Sequence, residues 1–66
     1  MTQTAEYALR AVVALGLQPD RYLTVRELAG RTKVPSFYLA KLLRGLARAG
    51  LIVSHRGPGG GFRLGR

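Results

Sequence analysis

Sixty-six residues carry eleven Lys and Arg against three Asp and Glu, a formal net charge of +8, with 47% apolar residues and no cysteine. That length allows a single domain, 1–66, which buries only roughly 60% of the surface its unfolded chain exposes and must therefore be compact, while so apolar a composition rules out a disordered basic tail. Without cysteine these residues have no disulfide, thiolate metal site, cysteine nucleophile or iron–sulfur ligand, and one His with three carboxylates offers little for acid–base or metal chemistry.

Neither an enzyme nor a cofactor is expected on these grounds. The longest apolar run, Ala11 to Leu17, is far short of the ~20 residues of a membrane span. It lies behind Glu6 and Arg10 and lacks a signal-peptide cleavage pattern. The expectation is a cytoplasmic, basic binding module.

Residues 4–17 form the first predicted helix, with Thr4 as N-cap and Gln18-Pro19-Asp20 as the stop. A 3.6-residue period places Ala5, Ala8, Leu9, Val12, Leu15 and Gly16 on one side, predicted to face the core. Glu6, Tyr7, Arg10 and Ala14 fall on the other side, and Tyr7 and Arg10 are expected to be exposed.

The second helix, 24–31, is marked by Thr24-Val25-Arg26-Glu27, the spacing of a capping box. Val25, Leu28 and Ala29 share its inner face, and the helix is expected to stop near Gly30 to Thr32. After Val34-Pro35 the third helix, 36–49, opens with Ser36 as its expected N-cap and ends at Gly50, a residue suited to a left-handed C′ position. Leu39, Leu42, Leu43 and Leu46 cluster on one side of it. Phe37, Lys41, Arg44 and Arg48 line the opposite side of a helix that contains no acid, whereas an ordinary solvated face mixes both signs.

The remainder, 51–64, reads as a β-hairpin. Residues 51–56 alternate and 62–64 return, joined by Gly57-Pro58-Gly59-Gly60-Gly61. Alternation puts Leu51, Val53, Phe62 and Leu64 inward and Arg56 and Arg63 outward at the base of the loop. The glycines do not form a nucleotide-phosphate loop, because no Lys-Ser/Thr pair and no helix follow them. His55, a lone imidazole, reads as structural.

A short capped helix, a turn of about four residues and a longer helix with a basic outer face make a helix-turn-helix, and the hairpin adds a wing. The fold class is mainly α with a small two-stranded antiparallel β-hairpin: a winged helix-turn-helix. Its excess positive charge attracts a polyanion, and the major groove of B-DNA admits one helix, from which Lys41 and Arg44 reach outward. A tip built on Gly57, Gly59 and Gly60 fits a narrow groove, with Arg56 placed to follow it. Arg48 on the same helix face, Arg63 on the wing and Arg10 on the first helix are further phosphate-contact candidates.

Two aromatics admit two readings each. Phe37 either staples the start of its helix or meets a thymine methyl, and Tyr38 is either half-buried or donates to a phosphate. A winged-helix protein-interaction module and general RNA binding are the competing functions. The first calls for an exposed apolar patch, for which only the widely separated Phe37 and Tyr7 offer themselves, and the second for a platform of stacking aromatics that five scattered rings do not make.

Tyr7-Ala8-Leu9-Arg10-Ala11, Val34-Pro35 with Tyr38-Leu39 and Lys41, Ala49-Gly50-Leu51-Ile52 and, most specifically, Arg56-Gly57-Pro58-Gly59-Gly60-Gly61-Phe62 resemble the Rrf2 family. These are bacterial transcription regulators of the IscR and NsrR type. The resemblance covers nearly the whole chain. It implies a winged helix-turn-helix that binds a palindromic promoter site in double-stranded DNA, usually to repress, with the third helix in the major groove and the wing in the minor groove. By position it makes Ser36, Phe37, Tyr38 and Lys41 base readers and phosphate clamps, and Arg56 the minor-groove arginine. Members of the family carry a dimerisation helix beyond the wing and, in many, a cysteine cluster holding an iron–sulfur centre. With no cysteine in these residues, no cofactor is carried over. The expected state is a monomer in isolation that pairs on DNA or through such a helix.

Overall fold

The computed structural model describes residues 2–65. In chain order they form α1 (Gln3–Gly16), α2 (Val25–Thr32), α3 (Ser36–Arg48), β1 (Ile52–His55) and β2 (Gly61–Leu64). The two strands pair antiparallel, Ile52 opposite Leu64 and His55 opposite Gly61. This is the expected three-helix, two-strand winged helix-turn-helix.

Each boundary has a local cause. The Thr24 side chain accepts from the Glu27 amide at 3.1 Å while the Glu27 carboxylate accepts from the Thr24 amide at 3.0 Å, completing the capping box of α2. α2 ends at Lys33, which takes the left-handed conformation with φ 62°. Thr32, buried beside it, donates its hydroxyl to the Leu28 carbonyl at 2.7 Å and accepts from the Val34 amide at 3.3 Å. These bonds satisfy the backbone of the tight turn before α3. At the far end of α3, Gly50 (φ 83°) lets the Leu51 amide reach back to the Leu46 carbonyl and its own amide to Ala47, a Schellman ending.

Two caps differ from expectation. Thr2, not Thr4, caps α1, accepting from the Ala5 amide at 3.1 Å. Pro35 occupies the N-cap of α3 without any side-chain bond, and Ser36 is the first helical residue. The fixed φ of proline leads the chain into the helix in place of a capping oxygen.

Leu15, Leu23, Leu28, Leu39 and Leu43 are fully buried, closed off by Ala11, Ala14, Val34 and Ile52. The phase of α1 departs from the predicted one. Ala11, Ala14 and Leu15 face inward with Tyr7 packed against them, whereas Leu9, Val13 and Leu17 are 53%, 54% and 71% exposed. Apolar residues surround this helix almost completely, so periodicity leaves its orientation open and packing decides it.

β1 is also shifted by one residue from its expected alternation. Ile52 is buried, and Leu51 and Val53 face outward. Leu51 is held by the helix ending, and the Ile52–Leu64 pairing puts both of those residues on the inner face. Among the described residues no helix is long and apolar enough to cross a membrane.

Candidate nucleic-acid interface

α3 buries Leu39 and Leu43, half-buries Leu42 and Leu46, and leaves Ser36, Phe37, Lys41, Arg44 and Arg48 exposed. The basic stripe therefore stands on the solvent side of its helix. Among the described residues the ion pairs are Arg10–Glu6 at 2.7 Å and Arg21–Glu27 at 3.1 Å, so Lys41, Arg44, Arg48 and Arg56 keep their charge free of any acid. Phe37 is 74% exposed and packs as no staple, which leaves its ring open to a partner.

The two tyrosines expected at the margins meet each other. The rings of Tyr7 and Tyr38 stand edge to face at 5.4 Å, and the Tyr38 hydroxyl shares a 2.6 Å hydrogen bond with Thr4 Oγ1. Tyr38 takes the half-buried alternative, and Tyr7, expected to be exposed, is half-buried too. Arg10 continues this joint: its guanidinium lies 5.5 Å from the Tyr7 ring centroid and donates to Glu6 and, at 3.1 Å, to the Thr32 carbonyl. Aromatic and charge-assisted contacts thus fix α1 to the start of α3 and to the turn beneath it.

The wing leaves α3 through β1, which packs against that helix. Arg56, Gly57 and Gly59 are exposed and Gly60 is half-buried, its amide closing a turn onto the Gly57 carbonyl at 2.9 Å. Gly61 has φ 146°, and a Cβ there would come 2.5 Å from the Leu23 carbonyl oxygen, so no other residue fits without displacing backbone. Leu23 and Phe62 exchange hydrogen bonds of 2.8 Å each, which ties the α1–α2 loop to β2 as a third, one-residue rung. Arg63, predicted outward, is half-buried with its guanidinium over the Tyr22 ring. Tyr22 and Thr32 carried no signal in the sequence, since each acts through residues distant along the chain or through a buried hydroxyl.

All of residues 1–66 match the family described as Rrf2, iron-dependent transcriptional regulator. The chain belongs to the Rrf2 family. A putative HTH-type transcriptional regulator of Aquifex aeolicus is 41% identical over 63 residues, which are 96% of this chain and 44% of that protein. The regulator IscR of Photobacterium profundum is 36% identical over 66 residues, 98% of this chain and 38% of its own length. Among solved structures, IscR of T. potens superposes with a TM-score of 0.92 at 28% identity, over 100% of this chain and 49% of that one. CymR, the global cysteine regulator of B. subtilis, gives 0.92 at 27% identity, over 100% and 52%. These Rrf2-family relatives and neighbours are transcriptional regulators, not enzymes, and the chain spans less than half the length of the curated ones.

Proposed function

We propose that this Rrf2-family domain binds double-stranded promoter DNA as the reader of one half-site, α3 in the major groove and the wing in the minor groove, in the cytoplasm and as part of a repressor. The observation that carries the reading is the exposed, acid-free stripe of Lys41, Arg44 and Arg48 on a helix that leads through β1 into a nearly bare glycine loop. Ser36 and Phe37 open that helix beside the stripe, and Arg56 stands at the entry to the loop. Specific sites selected from a random duplex pool test the reading. An enriched palindromic half-site, competed by neither single strands nor structured RNA at the same salt, is the expected result; binding that ranks RNA or single strands above the duplex counts against it.

Leu9, Val13 and Leu17 favour an additional role in assembly. They line an apolar groove on α1 with Ala14, rimmed by Arg10, Arg31 and Lys33. We propose that this domain is a monomer by itself and pairs on DNA or through a dimerisation segment of the longer regulators seated on this groove. Sedimentation with and without a palindromic duplex checks it: a stable dimer of the free domain contradicts the first half, and one domain per palindrome contradicts the second.

The iron dependence in the family's description is not assigned to these residues. They hold no cysteine, the residue whose thiolates hold most iron–sulfur centres.

A further inference from the structure

Tyr22 lies in the loop between α1 and α2, half-buried, with its ring against both strands of the wing. The Arg63 guanidinium of β2 sits 5.0 Å from the ring centroid. The imidazole of His55, last residue of β1, lies 5.0 Å away with the planes inclined by 32°. Next along the chain, Leu23 is fully buried and bonded to Phe62. Successive residues of an extended segment point to opposite faces, so Leu23 anchors the inner side of the sheet while Tyr22 grips the outer side.

A two-stranded hairpin is marginally stable by itself, and the core holds only its inner face, through Ile52, Phe62 and Leu64. At the distal end the pair is His55 opposite Gly61. Gly61 has no side chain to hold that end, and Arg56 follows His55 immediately. The contact between Tyr22 and His55 is therefore applied next to the residue that enters the minor groove in the function proposed above.

We propose that Tyr22 is a positioning residue of the wing: in contact with both Arg63 and His55, it fixes the distal end of the hairpin and with it the approach of Arg56 to the duplex. Arg63 then serves as a strut inside the protein while Arg56 makes the contact. This rests on the reading of the wing as a groove-binding element.

The test combines Tyr22→Ala, Tyr22→Phe, Arg56→Ala and the Tyr22→Ala/Arg56→Ala double variant. Amide hydrogen exchange at His55 and Gly61 reads the hairpin directly, and far-UV circular dichroism confirms the helices. Affinity for one half-site flanked by A·T-rich or by G·C-rich duplex reads the wing. Tyr22→Ala is expected to speed exchange at the distal pair about fivefold and to weaken A·T-flank binding by a similar factor, the scale of a single aromatic–cation interaction. Tyr22→Phe, which keeps the ring, is expected to match the parent protein, and the double variant is expected to bind no worse than Arg56→Ala.

Unchanged exchange in Tyr22→Ala overturns the proposal, and so do losses that add in the double variant. Tyr22→Ala that unfolds the domain is replaced by His55→Ala, which removes one exposed partner of the Tyr22 ring and carries the same expectations. If Arg56→Ala loses nothing on either flank, the groove-binding reading fails by itself, a result visible without any Tyr22 variant, and the positioning role falls with it.

Discussion

Among the described residues, Arg44 and Lys41, unlike Arg10 and Arg21, have no acid paired to them. Arg10 and Arg21 each donate to a carboxylate, and Arg63 lies over a ring. An unpaired cation on an exposed helix face releases one condensed counterion when it meets a phosphate. Arg44→Ala is therefore expected to reduce the slope of log affinity against log salt by about 0.9, measured by fluorescence anisotropy across a salt series. An unchanged slope removes Arg44 from the phosphate contacts. At Tyr38 the same scale of reasoning concerns stability. Tyr38→Phe removes the hydroxyl bonded to Thr4 at 2.6 Å and keeps the edge-to-face ring, so a loss of about 1 kcal/mol in denaturant unfolding is expected. The free cations of α3 were legible in the sequence because their helix has no acid; the joint of Tyr7 with Tyr38 was not, because its members lie on different helices.

α2 owes its start to a reciprocal pair of bonds within four residues, which is why Thr-x-x-Glu predicted it. The Thr24 amide that donates to Glu27, helped by the Arg21 guanidinium, holds the Glu27 carboxyl below its ordinary 4.5. A carboxyl with a depressed pKa in the folded state stabilises the fold above its unfolded value, and that contribution is lost as the pH falls through the folded one. Thermal unfolding followed downward from pH 5 is expected to show this loss, and Glu27→Gln is expected to lack that share of the pH dependence. In the wing, Gly61→Ala puts a methyl group against the Leu23 carbonyl in a backbone region that only glycine occupies easily. A cost of about 1–3 kcal/mol is expected from chemical denaturation, and the Leu23–Phe62 rung is expected to open before the rest of the hairpin. The glycine run read from the sequence as a bare tip. The need for glycine at its last position became visible only once the α1–α2 loop lay beside β2.

One domain of 33 × 22 × 20 Å matches about one turn of B-DNA, ~34–36 Å. A palindrome therefore needs two copies. The apolar stripe of Leu9, Val13 and Leu17 is the surface proposed above for assembly. Val13→Asp is expected to leave the stability of the single domain within about 0.5 kcal/mol, since the residue is half exposed and outside the core. On a palindromic duplex it is expected to abolish cooperative binding, read as two independent binding steps in a titration. Cooperative binding that survives Val13→Asp excludes the stripe from the contact between copies.

The sequence by itself determined the order of elements, the capping box, the left-handed glycine after α3, the basic face of that helix and the Rrf2 resemblance. Each of these is a relation between residues within a few positions of one another, enforced by backbone geometry, or a sum of charge. Only the tertiary structure decided which way α1 turns, which face of β1 is inward, and that three tyrosines serve as joints between elements. A helix apolar on nearly every side has no preferred direction until a partner covers one of them. A strand of four residues takes its phase from the strand it pairs with. A tyrosine that spans 41 residues to meet Arg63 leaves no trace in its own neighbourhood.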